Sequence, residues 1–205
     1  MKYVQAAVTL IALISGFELS RVESAWGYAP KIQIEQLKLM PILASPNLLD
    51  QAAQKQAQED YPGAIADYTE FLNTYPVGGA FPMDRRAEAY TNRGFSKAML
   101  DDLTGAIKDF DRAIELVPNS ADAYNARGNV NAMAGNPAQS IRDFNRAIRC
   151  NRNFADAYYN RAIGRHDLGD RSGAKVDFHQ AAKLFQQQQD LGGYQQATEW
   201  IIKLK

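Results

Sequence analysis

Apolar and small residues fall at fixed places along residues 87–188, and the places recur every 34 residues. In residues 87–120, Tyr90, Gly94 and Ala98 stand four apart, which puts them on one face of a helix. Ala106, Phe110, Ala113 and Leu116 follow at spacings of four and three and make the stripe of a second helix. The pattern returns in 121–154 and again in 155–188, so three copies abut without a gap. Between the stripes lie short polar or glycine-containing turns: Asp101-Asp102, Gly135-Asn136 and Gly169-Asp170. Asn136 ahead of Pro137 is a good N-cap followed by a good first helical residue. Each copy thus predicts two antiparallel helices. A fixed period of this size predicts an all-α solenoid of stacked helix pairs, not one globular core. Gly94 and Gly128 fall mid-helix, at a cost of about 1 kcal/mol against alanine. That repeated cost implies that two helices approach closely there; Ala162 fills the place in the last copy.

A degraded copy spans 45–78, its register set by Gly63-Ala64-Ile65 against Gly105-Ala106-Ile107. Eight extra residues, Gly79 to Arg86, follow it and predict a loop of the kind that projects and carries binding contacts. Residues 25–44 are expected to be a linker, since Pro30, Pro41 and Pro46 break any long helix in this region. Ahead of it, Lys2 precedes the uncharged apolar run Ala6 to Phe17, and small residues follow at Ser24 and Ala25. Residues 1–24 are expected to be a secretory signal peptide; the alternatives are an uncleaved N-terminal anchor or a buried apolar helix. At the other end, 189–205 predicts a capping helix. Tyr194, Ala197, Ile201 and Leu204 share its inner face, and Gln195, Gln196, Glu199 and Lys203 point outward.

Composition narrows the chemistry. Apolar residues make up 46% of the 205, enough for a core, and 23 basic residues balance 23 acidic ones. A neutral chain offers no general attraction for nucleic acid or anionic lipid, so a membrane is expected only through an uncleaved N-terminus. Cys150 has no partner for a disulfide and is expected in the core or an interface. His166 and His179 lack metal-ligand spacing, and no phosphate loop or serine elbow occurs. No catalytic residue, metal or cofactor is expected.

One charged pattern repeats. Arg93, Arg127 and Arg161 stand at the seventh place of their copies, and Asp109, Asp143 and Asp177 stand 16 residues on. They are expected to pair and tie the two helices of each copy together. The first copy has Asp67 but Gln51.

The recurring places carry a family resemblance. Tyr90, Gly94, Ala106, Phe110, Ala113 and Pro118 resemble the tetratricopeptide repeat, as do Tyr124, Gly128, Ser140, Phe144 and Ala147, and Tyr158, Ala162, Ala174, Phe178 and Ala181. The first copy fits through Leu48, Ala52, Ala64, Tyr68, Phe71 and Pro76. The wording of the copies, AYxNRG and GAIxDFxxAI, is similar to that of cyanobacterial members. The resemblance implies a concave groove lined by the first helix of each pair. Its places here hold Asn92, Phe95, Met99, Asn125, Asn129, Met133, Tyr159, Asn160, Ile163 and His166, edged by Glu88, Asp122 and Asp156. Asparagines can bond both donors and acceptors of a peptide backbone, and Met, Phe and Tyr add adaptable apolar contact. Some members clamp a C-terminal carboxylate, but here the clamp places hold Leu49, Ala53, Asp122 and Ala126, with Asn92 alone retained. Carboxylate clamping is therefore not expected. The implied function is a non-catalytic adaptor or assembly factor for a membrane or exported complex, in periplasm or thylakoid lumen, that binds a protein or peptide. The alternative is an anchored accessory subunit of an enzyme or transporter.

Overall fold

The computed structural model describes residues 41–74 and 82–204. The expected signal segment, most of the linker and residues 79–81 of the inserted loop lie outside this range. The described residues form helices and turns with no strand. The order is α1 (Pro41–Ala57), α2 (Tyr61–Thr74), α3 (Met83–Met99), α4 (Leu103–Leu116), α5 (Ala121–Met133), α6 (Pro137–Cys150), α7 (Ala155–Asp167), α8 (Arg171–Gln187) and α9 (Leu191–Lys203).

Helix α3 packs chiefly on α4, α5 on α6 and α7 on α8, and each pair leans on the next. The core is modular to match. One buried cluster joins Leu49 and Ala52 of α1, Ala64, Tyr68, Phe71 and Leu72 of α2 and Ala89 of α3. Phe110, Phe144 and Phe178 are the large buried side chains of the later pairs, each worth about 2–3 kcal/mol of burial. The close approach implied by the mid-helix glycines is there: a Cβ on Gly94 would lie 2.9 Å from Cε1 of Phe110. In the last pair Phe178 stacks on Trp200 of α9 at 5.3 Å.

The turns within pairs share one construction. Glu59, Asp101, Gly135 and Gly169 take positive φ, and Gln189 does so before α9. The next residue caps the following helix. Asp102, Asp170 and Asp190 accept from the amides of Gly105, Gly173 and Gly193 at 2.8, 2.9 and 2.9 Å. Asn136 stands at the same place but makes no side-chain cap bond.

Four expectations need correction. Proline does not exclude helix from the whole linker: α1 starts at Pro41, where a missing N–H costs nothing, and runs on through Pro46. The second half of the inserted segment is not loop but the first turn of α3. There Arg86 is 3% exposed; its Nη1 donates to the Leu72 carbonyl at 3.4 Å, placing a cation on the C-terminus of α2. Of the two places expected for Cys150, the core is ruled out: it is exposed at the last residue of α6. The terminal helix does not turn a wholly polar face outward. Ala197 is buried, but Leu191 and Ile202 are 80% and 64% exposed, and Tyr194 is exposed rather than inside.

Candidate functional site

The first helices define an inner surface. Helix α3 touches α5 directly, and α5 touches α7, whereas the second helices do not meet to that extent. Along this inner layer the side chain of Asn160 donates to Oδ1 of Asn125 at 3.2 Å, bridging α7 and α5. Phe95, Met99 and Met133 are 44%, 51% and 61% exposed, large apolar groups left to water. Phe95 and Met99 are one helical turn apart, and Met133 holds in α5 the place that Met99 holds in α3. Asn129 is exposed beside them. This strip is open.

The other candidate groove residues are more engaged. Asn92 is half-buried near the hydroxyl of Tyr68, which donates to Oε1 of Gln56 at 3.1 Å. Burial pushes that phenol up to about 12, against the lowering effect of the Asn92 amide, and the Glu88 charge adds to the rise. Tyr159 sets its ring edge against Phe178 at 5.5 Å and Phe185 at 6.5 Å. Ile163 packs on the cluster of Ala162, Ala174 and Phe178. His166 lies 5.0 Å from the ring of Trp200. The structure brings these three together with α8 and α9, so the inner surface is apolar and half-closed at that end. Asp156, at the edge, has its carboxyl pKa raised by burial first, with Asp190 and Asp122 adding to the rise and its own backbone hydrogen bond opposing it.

Behind the inner layer runs a polar ladder. Arg93 forks onto Asp109 with Nε and Nη2 at 2.9 and 2.7 Å. Arg127 does the same to Asp143 at 3.1 and 2.7 Å, and Arg161 to Asp177 at 2.8 and 2.6 Å. The third nitrogen reaches back to the preceding pair: Nη1 bonds Thr69 at 3.0 Å, Asp111 at 2.5 Å and Asn145 at 2.6 Å, respectively. Each guanidinium also faces a tyrosine three residues earlier, at 5.4, 5.5 and 5.3 Å from the rings of Tyr90, Tyr124 and Tyr158. Burial opposes the charge on Arg127, but the bonds to Asp143 and Asp111 outweigh it and raise its pKa.

A further contributor escaped sequence reasoning. The second oxygen of each aspartate is met by Lys97 at 2.7 Å, Asn131 at 2.9 Å and Arg165 at 2.7 Å. In the first pair Lys55 meets Asp67 at 2.6 Å. The 34-residue spacing of 97, 131 and 165 was the available signal. Chemically the ladder is scaffolding, since its carboxylates are buried and bonded. Among the described residues no cluster has the side chains to hold a metal ion, and no helix is long and apolar enough to cross a membrane.

Comparison with known proteins points the same way. Residues 98–135 match the family model described as TPR repeat. No curated protein sequence matches the chain. Among solved structures the chain is similar to MamA, with 25% identity, 75% of this chain and 85% of that one covered, and a TM-score of 0.62. It is similar to the TPR2B domain of yeast Sti1 in complex with an Hsp70 peptide, at 21% identity, coverage of 58% and 94%, and a TM-score of 0.55. It is also similar to the first TPR of Spaghetti (RPAP3) bound to an HSP90 peptide, at 20% identity, coverage of 62% and 95%, and a TM-score of 0.54. With the helix pairs and their order, these likenesses show an all-α solenoid of the tetratricopeptide-repeat type.

Proposed function

We propose that this chain is a non-catalytic protein-interaction scaffold that holds a peptide or partner helix against its inner surface. The observation that carries the reading is the strip of Phe95, Met99 and Met133, solvent-exposed on adjacent first helices. Exposed apolar groups in register across neighbouring helices suit an apolar or amphipathic segment, read by every third or fourth side chain. Asn129 and the Asn125–Asn160 pair supply donors and acceptors for the partner's polar edge. The likeness to peptide-bound tetratricopeptide domains supports binding as such. It does not extend to carboxylate clamping, because Leu49 is buried in the core and Asp122 and Ala126 offer no cation.

Within this reading the chain serves assembly of a membrane or exported complex, in periplasm or thylakoid lumen; the apolar run of residues 6–17 and the cyanobacterial style of the copies support that role. The test is photo-crosslinking in cells from a probe at Met99 or Met133, with a probe at Val176, exposed on α8, as control. Adducts confined to the first two positions are expected. Equal adducts at Val176, or none at Met99 and Met133, would sink the proposal. Sequencing the N-terminus of the cell-purified protein tests export by cleavage, which an intact Met1 would exclude.

A further inference from the structure

A second surface lies on the outer layer. Helix α6 carries Arg142, Arg146 and Arg149 at spacings of four and three, all exposed on one face, with Arg152 just beyond its end. The only acid of this helix, Asp143, is buried and bonded to Arg127 and Asn131. Among the described residues Arg142 bonds only the neutral Gln139, at 2.7 and 3.0 Å. Arg146 and Arg149 have no ion-pair partner among the described residues. The equivalent places differ on the neighbouring outer helices: Lys108, Arg112 and Glu115 on α4, where Arg112 is paired with Glu115 at 2.5 Å, and Val176, Gln180 and Lys183 on α8. Helix α8 also carries cations without an ion-pair partner among the described residues, Arg171, Lys175 and Lys183, but α6 gathers three exposed arginines at spacings of four and three on one face.

The row also borders open space. A depression of about 530 Å³ is lined by Tyr124, Gln139, Asn145, the three arginines and, at its inner side, Arg127 with its bonded partner Asp143. A second, of about 360 Å³, lies between Arg146, Arg149, Tyr124, Asn119 and Cys150. Both combine guanidinium forks with amide groups and the phenol of Tyr124, and the one carboxylate at the first, Asp143, is held by Arg127 and Asn131.

We propose that the arginine row of α6 docks an acidic, carboxylate-rich segment of a protein partner on the outer face of the solenoid. Guanidinium forks match carboxylates two bonds at a time. Arg142 to Arg149 spans about 10 Å along the helix, the reach of three or four extended residues. That length fits a short acidic stretch. A nucleic acid needs a longer basic track, and here the track is cut on one side by Glu115, next to Ile114 at the rim of the depression. The site is carried by α6, with Tyr124 of α5 at its edge, and shares no residue with the inner strip.

The experiment is fluorescence anisotropy of a labelled hexaglutamate peptide titrated with the full chain at about 50 and 300 mM salt. The triple variant R142Q/R146Q/R149Q is expected to bind at least roughly tenfold more weakly at low salt, with the difference shrinking at high salt. The variant R171Q/K175Q/K183Q, which removes the same charge from α8, is expected to bind as the unmodified chain does, as is F95S/M99S/M133S. Equal weakening by both charge-removing triples would make the attraction non-specific and overturn the proposal. Tighter binding of a single-stranded DNA 20-mer than of the peptide would overturn it in favour of nucleic acid. If the first triple fails to fold by circular dichroism, R146E alone decides: an unchanged dissociation constant overturns the proposal, and a loss of binding supports it.

Discussion

Gly128→Ala and Gly164→Ala make the same chemical change in adjacent first helices and should move stability in opposite directions. A Cβ on Gly128 would stand 2.6, 2.8 and 3.1 Å from Cε1, Cδ1 and Cζ of Phe144. Carbon contacts are comfortable at about 3.5–4.0 Å, so the ring must retreat by roughly 1 Å. Phe144 is fully buried, so its ring can retreat only by displacing its packed neighbours. Overpacking of this kind costs about 1–3 kcal/mol, while the helical preference of alanine over glycine returns about 1 kcal/mol. The net expectation is a loss of about 1 kcal/mol. At Gly164 the nearest atom to a new Cβ is Cγ1 of Ile141 at 3.4 Å, an ordinary contact. There the helical preference acts alone, and a gain of up to about 1 kcal/mol is expected. Urea unfolding of the full chain, followed by helical circular dichroism, separates the two. For a domain of this size each kcal/mol corresponds to about 2–4 °C in Tm. Phe144→Leu should relieve the clash, so Gly128→Ala combined with it should lose less than the two single changes added together. A Gly128→Ala variant as stable as Gly164→Ala would refute the claim that the glycine answers to the ring.

Arg127→Ala should cost about 3–5 kcal/mol, and more than Arg93→Ala, because Lys97 remains on Asp109 whereas only neutral Asn131 remains on Asp143; equal losses in thermal melts would disprove the charge argument. Asp156 has its folded pKa raised, so the folded state holds its proton more tightly than the unfolded one and this residue's contribution falls as pH rises above the ordinary value of 3.8. Asp156→Asn should therefore gain on the unmodified chain as pH rises from about 4 to 7, and a pH-independent difference in urea midpoints would contradict this. Asp101 holds φ at 64° without being glycine, so Asp101→Gly should stabilise by up to about 1 kcal/mol, unlike Gly135→Asp, which should do the reverse; matched Tm values for both would argue against strain at this turn.

The fold was legible because its signals are local and repeated. The places of Ala106, Phe110 and Ala113 recur with the same spacing, as Ser140, Phe144 and Ala147 and as Ala174, Phe178 and Ala181, and are buried in each copy, so one pattern served three times. The inserted segment and the terminal helix were less legible because no repeat constrains them. The burial of Arg86 depends on where α2 ends, and the outward turn of Tyr194, Leu191 and Ile202 on how α9 meets α8. Composition suggested a loop in one case and a polar cap in the other. The candidate site was partly legible: spacing identifies the inner-facing places of a first helix but not which of them a neighbour covers. Tyr159, Ile163 and His166 occupy places like those of Asn125 and Asn129, yet Phe185 and Trp200 cover them.

The ladder explains how surfaces so different can coexist on a thin stack. A solenoid joined only by apolar contact can slide or twist, because dispersion has little direction. Here each arginine makes two bonds within its own pair and one to the pair before it. Three directed bonds and a tyrosine face fix the angle between neighbouring pairs more narrowly than packing alone. The inner strip needs that angle, since Met99 and Met133 can serve one partner only while α3 and α5 keep register. Burying the ladder's carboxylates also removes them from the outer face. Asp143 is turned inward on Arg127, and α6 is left with arginines alone outside. The same pairing that sets the geometry of the groove thereby leaves the charge of the outer surface uncompensated. Asp143→Asn should accordingly loosen the register between α5 and its neighbours, because Arg127 then keeps its ion pair with Asp111 alone.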